Sequence, residues 1–526
     1  MWRLGRAAFA VALSLALTLA FAPAYAQEGA ETPASGPVER VDEAMAHLSS
    51  YLGKAVSREQ QVHRWEALIW PDVSLGCPIP NRIYDTTPTP GYRIFIAVDG
   101  VEYEYHTDLE GAQMVLCIDG SPEPGSIGTN YWRLAPDIEA DATVRVSSWG
   151  IDEDGAQAVL DAIERFEALF PNIAVVYEPV EDEDYTEAMK RLMAAGRAPD
   201  VFYIDAGLMS VFSPYGLLAP LDAYLATVGI AREDYVPALI EMFTYEAKTF
   251  ALPVDLDSLG LVYLPHLFDE AGLDYPTADW TWADMENAAR VISERTGIYG
   301  VCTPPDARRW LAALYQAGGA VTDDLYLEAL FNSPEAAEAL AFWYGMYADG
   351  YGTLPALINV AHCREALGRE LVTMAWEGVG AVDFMAEQYP SVAYAIAPLP
   401  AGPAGDANLA FADGVAVNAA TPNPVASALL AIYLAGPENQ AALLHEQGVL
   451  PTLRALLDDS WFDDHPNEAV IVAGAATGRP YYFGHAFFFG LEHRDVLAWI
   501  TDALNAVFRG ERSIQEALDN AVTALN

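Results

Sequence analysis

The sequence predicts an α/β protein preceded by a small α+β domain. Three observations carry this expectation. From about residue 142 onward, strand-like and helix-like segments alternate, the mark of a mostly parallel sheet with helices on both faces. Before them lies a helix-like segment followed by a hairpin pattern. The length of 526 residues is more than one compact core holds, so two or three folding units are expected.

At the start of the chain, Arg3 and Arg6 precede an apolar stretch over 7–22, then Pro23 and the small-residue site Ala24-Tyr25-Ala26. A positive end, a short apolar middle and an A-x-A exit describe a cleavable export signal over 1–26. The apolar run falls short of the ~20 residues that span a bilayer comfortably. Residues 27–37 are polar and carry proline and glycine, which predicts a disordered leader.

Residues 38–120 are expected to form the small domain. Val41, Met45, Leu48 and Leu52 recur at helical spacing, so 38–61 reads as one helix. Trp70-Pro71-Asp72 and Leu75-Gly76-Cys77-Pro78 read as turns. Residues 91–98 and 101–105 read as two strands around the tight Asp99-Gly100 turn, and 113–118 as another. Residues 121–139, rich in proline, glycine and serine, read as a linker.

Beyond it, strands are predicted over 143–147, 173–177 and 200–204, with helices over 157–170 and 185–195 between them. Ligands of such sheets bind at the carboxyl ends of the strands, so Trp149 and Asp205 are candidate contacts.

Charge and cysteines narrow the class. The net charge of −47, from 74 acidic and 27 basic residues, is unsuited to nucleic acid or anionic membranes, which need basic patches. It fits a solvated acidic surface or a cleft that attracts cations, and charge alone does not separate these. Hydrophobic residues make up 52%, which excludes general disorder. None of the four cysteines forms a C-x-x-C pair. In an exported chain an even count suggests disulfides, and Cys77 with Cys117 is the natural pair because both lie in the small domain. For Cys302 and Cys363, a bond and two buried thiols both stay open. His106 and Asp108 suit structural hydrogen bonding better than metal ligation. No metal and no cofactor is expected.

Ordered segments then carry a family resemblance. Pro199-Asp200-Val201 leads into Gly216-Leu217-Leu218 and Pro220-Leu221-Asp222. Leu267-Phe268-Asp269-Glu270-Ala271-Gly272-Leu273 is followed by Thr281-Trp282-Ala283-Asp284-Met285. Gly318-Gly319, Ser333-Pro334-Glu335-Ala336, Gly448-Val449-Leu450-Pro451-Thr452 and Gly510-Glu511-Arg512-Ser513 follow in order. Over roughly three quarters of its length the chain resembles the extracellular solute-binding proteins of ATP-binding-cassette importers, the family of the maltose and oligosaccharide receptors. Two departures stand out. Tyr263-Leu264 replaces a frequent Tyr-Asn, and the segment from Met374 to Gly380 ends in glycine where the family often has a sugar-stacking aromatic. Trp376 lies in that strand and reads as a core residue.

The resemblance implies a two-lobed, periplasmic-binding-protein-like fold with a hinge over 140–526. Lobe one would take 140–254 and 408–450, and lobe two 256–405 and 452–526. It implies a receptor, in the periplasm or at the cell surface, that hands a small polar ligand, a carbohydrate above all, to membrane permease subunits. Aromatic faces would pack on sugar rings and carboxylates would take the hydroxyls. Beside Trp149 and Asp205, the resemblance adds Asp255 and Asp257 at the crossover after Pro253, together with Trp310, Glu377, Asp413, Tyr481 and Tyr482. No nucleophile elbow, zinc-protease, phosphate-loop or dinucleotide motif occurs, so no catalytic residue is assigned. An exported glycoside hydrolase using two carboxylates, and a sensor subunit for a polar or cationic ligand, remain the alternatives.

Overall fold

The computed structural model describes residues 37–52, 54–58, 61–71, 75–77, 88–109, 114–118, 121–122, 141–149, 153–180, 184–323, 328–481 and 493–525. The expected export signal, nearly all of the leader and of the linker, and Tyr482 lie outside them. Among the described residues no helix is long and apolar enough to cross a membrane.

In the N-terminal part, the helix Val38–Tyr51 buries Val41, Ala44, Met45 and Leu48 against an antiparallel five-stranded sheet. Asp99 and Gly100 both take left-handed backbone angles, φ 52° and 86°, which the two-residue turn between Thr89–Val98 and Val101–Asp108 requires. Two expectations need correction. The helix ends at Tyr51 rather than near 61, and a strand, Val62–Trp70, follows it. That strand sits on the sheet edge with most side chains in solvent, so it lacks the apolar alternation that reveals a half-buried strand.

Cys77 and Cys117 are bonded as expected, and Cys302 is bonded to Cys363. His106 is buried beside the first bond, its ring nitrogens on the Leu75 carbonyl at 2.7 Å and Glu104 at 2.8 Å.

The rest of the chain builds two lobes on five-stranded sheets of matching design. In the first, Ile173–Tyr177, Ala142–Ser147 and Val201–Ile204 run parallel. Gly414–Val417 then pairs antiparallel with Val201–Ile204, and Ala251–Pro253 closes the edge. In the second, Gly352–Thr353, Tyr299–Cys302 and Val372–Glu377 run parallel. Gly260–Tyr263 pairs antiparallel with the last of these, and Ala395–Ala397 closes that edge.

In each sheet the antiparallel strand is the one by which the chain enters after leaving the other. Gly260–Tyr263 follows the exit from Ala251–Pro253, and Gly414–Val417 follows the return from the second sheet. The crossings are tied together by a small sheet of Asp257–Ser258, Leu409–Phe411 and Arg479–Pro480. Both entering strands begin with a glycine in tight surroundings. A Cβ on Gly260 would come 2.4 Å from the Ile396 side chain, and one on Gly414 would come 2.8 Å from the Phe243 ring.

Candidate functional site

Where the crossings meet, a cavity of about 660 Å³ opens, lined from both sheets and from the crossings themselves. Its polar wall is mainly carboxylate. Asp205 follows the strand Val201–Ile204 and caps the next helix, its Oδ1 accepting the Leu208 amide at 2.7 Å. Asp255 and Asp257 alternate along the outgoing crossing, and Asp413 stands on the return crossing just before Gly414. The Asp413 amide donates to Asp255 Oδ1 at 2.6 Å, joining the two crossings. Asp257 Oδ1 accepts from Val379 at 2.7 Å and Ser258 at 2.8 Å, which ties the outgoing crossing to the start of the helix Gly380–Gln388.

Crowding these carboxylates into a half-enclosed space makes their charge costly. Burial raises Asp257 from 3.8 to about 7, the backbone donors offsetting only part of the effect. Burial likewise raises Asp205 and Asp255. Asp413 rises well above the usual carboxylate range, through burial first and then repulsion from Asp255 and Asp205.

The apolar wall includes Phe411 and Tyr481, whose ring centroids lie 4.8 Å apart. The Arg308 guanidinium stands 5.6 Å from each ring. Burial raises the Tyr481 phenol to about 12, against the opposing pull of Arg308. Trp149 stands edge-on to Tyr185 at 5.7 Å and to Tyr203 at 5.5 Å. It backs this part of the first lobe without itself lining the cavity.

Of the residues singled out in the sequence, the cavity therefore brings together Asp205, Asp255, Asp257, Asp413 and Tyr481. Two others sit elsewhere. Trp310 is fully buried in the core of the second lobe, near Phe331. Glu377 is paired with Arg309, whose guanidinium reaches it at 2.5 Å and the Trp376 carbonyl at 2.7 Å. Trp376 is a core residue, as its strand suggested, 4.9 Å from Trp343.

Arg308, Asp383 and Phe411 line the cavity and were not singled out in the sequence. Arg308 had a usable signal. On the helix Ala307–Gln316, Trp310 and Arg309 turn inward, so the residue one step back faces outward. Asp383 lies on a helix whose pattern gave no such sign.

Comparison with known proteins follows the same outline. The sequence family described as bacterial extracellular solute-binding protein matches residues 150–441, and a domain of unknown function matches 41–117. The chain is 26% identical over 182 residues to the maltotriose-binding protein of Pyrococcus abyssi, covering 34% of this chain and 38% of that protein. It is 26% identical over 215 residues to the mannitol-binding protein of Pseudomonas aeruginosa, covering 38% and 48%. The chain thus spans less than two thirds of the length of these relatives. Among solved structures, the sugar-binding protein MalE of Xanthomonas citri superposes with a TM-score of 0.65 at 22% identity, over 73% of this chain and 96% of that one. That likeness supports the two-lobed fold.

Proposed function

Because the chain belongs to the bacterial extracellular solute-binding proteins, we propose that it is an exported receptor that captures a saccharide between its lobes for an ATP-binding-cassette permease. The observation that carries this reading is the cavity at the crossings, with Asp205, Asp255, Asp257 and Asp413 on its wall and Phe411 and Tyr481 beside them. A sugar offers apolar ring faces to aromatics and donor hydroxyls to carboxylates, and this wall supplies both partners. The relatives' names point the same way: maltotriose, mannitol and arabinooligosaccharide receptors.

The mechanism is capture by closure. The lobes are joined by short crossing segments, so small backbone rotations there swing one sheet against the other. Asp257 touches both the crossing and the helix Gly380–Gln388, and Asp255 touches both crossings. A ligand drawing on these carboxylates biases the same segments that must turn. The closed form then presents a lobe surface to the permease.

The same reading takes 1–26 as an export signal, 38–120 as a small separate domain, 121–139 as a linker and 140–526 as the receptor. The lobes are then 140–254 with 408–450, and 256–405 with 452–526. Titration calorimetry against a panel of mono- and oligosaccharides tests the function. Binding of at least one, with a 1:1 stoichiometry and no hydrolysed product, is expected. Release of shortened sugars would refute the receptor reading in favour of a hydrolase.

A further inference from the structure

The charge on the cavity wall is unbalanced. Asp205, Asp255, Asp257, Asp383 and Asp413 face one space, and Arg308 is the sole cation among the described residues lining it. None of the five carboxylates forms an ion pair with a described residue. Arg308 stands over the rings of Phe411 and Tyr481, and from there its charge offsets only part of the cost at Asp257 and Asp413. Asp205, Asp255 and Asp257 accept neutral backbone donors, which bring no countercharge, and the Asp413 carboxylate accepts no hydrogen bond from a described residue, although its backbone carbonyl accepts the Val254 amide at 2.9 Å.

A second feature lies on the same wall. Phe411 and Tyr481 line the cavity with their ring centroids 4.8 Å apart, and a guanidinium already stands 5.6 Å from each ring. Aromatic rings next to carboxylates are the surroundings a desolvated organic cation prefers. A metal ion fits less well. Among the described residues, the group of His, Cys, Asp and Glu atoms at metal-ligand spacing is Cys77, His106 and Cys117, whose two sulfurs are bonded to each other. The cavity carboxylates are spread too widely for that spacing. Around a neutral sugar these crowded carboxyls stay costly to ionise, whereas an ammonium group among them offsets part of that cost.

We infer that the ligand is a basic saccharide, a sugar or oligosaccharide with at least one protonated amino group, whose ammonium is held by Asp413 and Asp255 while the remaining carboxylates take hydroxyls. This rests on the saccharide-receptor reading and adds the charge of the ligand to it.

Calorimetry on the full exported chain compares short glucosamine oligosaccharides with the same oligosaccharides N-acetylated, and with spermidine. The free-amine series is expected to bind at least about tenfold tighter than its acetylated twin, because one charge-assisted contact is lost on acetylation. High salt narrows the gap, and Asp413→Asn removes most of it. Asp255→Asn, which keeps the acceptor for the Asp413 amide, does the same and guards against a misfolded first variant. Equal or tighter binding of the acetylated series overturns the inference and leaves the saccharide reading standing. Spermidine binding without either sugar series removes the saccharide reading and the basic saccharide with it. Silence from all three probes also overturns the inference.

Discussion

Replacing Asp257 with asparagine isolates the cost of keeping a charge at the lobe crossing. An asparagine carbonyl can accept the Val379 and Ser258 amides that Asp257 Oδ1 accepts now. The charge disappears, and an amide takes the place of the second oxygen, which lies against Gly378. Burial above all raises the Asp257 carboxyl from 3.8 to about 7. The native state therefore keeps its proton over a range in which the unfolded chain has lost it. The stabilisation is fully present below about pH 4 and is lost as pH rises through about 7. For a shift of that size, the change between about pH 5 and pH 8 is ~2.6 kcal/mol at 1.36 kcal/mol per unit. Asp257 is half-buried, so screening by solvent reduces this to ~1–2 kcal/mol. Ligand-free wild type and Asp257→Asn would be unfolded in urea at a series of pH values across that range. The variant should lose ~1–2 kcal/mol less than wild type toward the alkaline end. Parallel stability curves would refute the reasoning, because the carboxyl would then be no costlier to ionise in the folded chain than in the unfolded one.

Trp310→Ala should cost ~3–5 kcal/mol in chemical denaturation, the price of emptying a core site, and a loss confined to ligand affinity would contradict its burial. Arg309→Met strands the buried Glu377 and should destabilise by ~3 kcal/mol, and a loss below ~1 kcal/mol would mean solvent compensates the carboxylate. Replacing Cys302 and Cys363 by alanine opens a loop with a sequence separation of 61 and should lower stability by ~4 kcal/mol on the chain-entropy estimate, checked by thermal melting. Small-angle scattering with a saturating ligand should give a smaller radius of gyration, and an unchanged profile with ligand bound would remove the closure mechanism.

The strand and helix order of the first lobe was legible because its strands are buried and its helices amphipathic, so both periodicities survive in the sequence. The edge strand Val62–Trp70 left no such trace, since neither of its faces is consistently buried. Asp205 was accessible to reasoning because the carboxyl end of a parallel strand is where such sheets are open. Trp310 and Arg308 show the limit. Both sit in the first turn of one helix, and what turns Trp310 inward is the Phe331 and Trp343 side of the second lobe, which sequence adjacency does not reveal. Glu377 had the right position at a strand end, but its charge was already committed to Arg309, 68 positions away.

The antiparallel strand within each sheet also bears on how the protein is made. Ala251–Pro253 has no partner in its sheet until Gly414–Val417 slots in beside it, and the Asp413 amide that bonds Asp255 comes from 158 positions further on. A ribosome must therefore release most of the polypeptide before the first sheet can be completed. Closing so long a loop is slow, and it leaves the first lobe unfinished for much of the chain's synthesis. Premature stability would hinder passage through a narrow translocation channel, and this threading order postpones the completion of the first lobe.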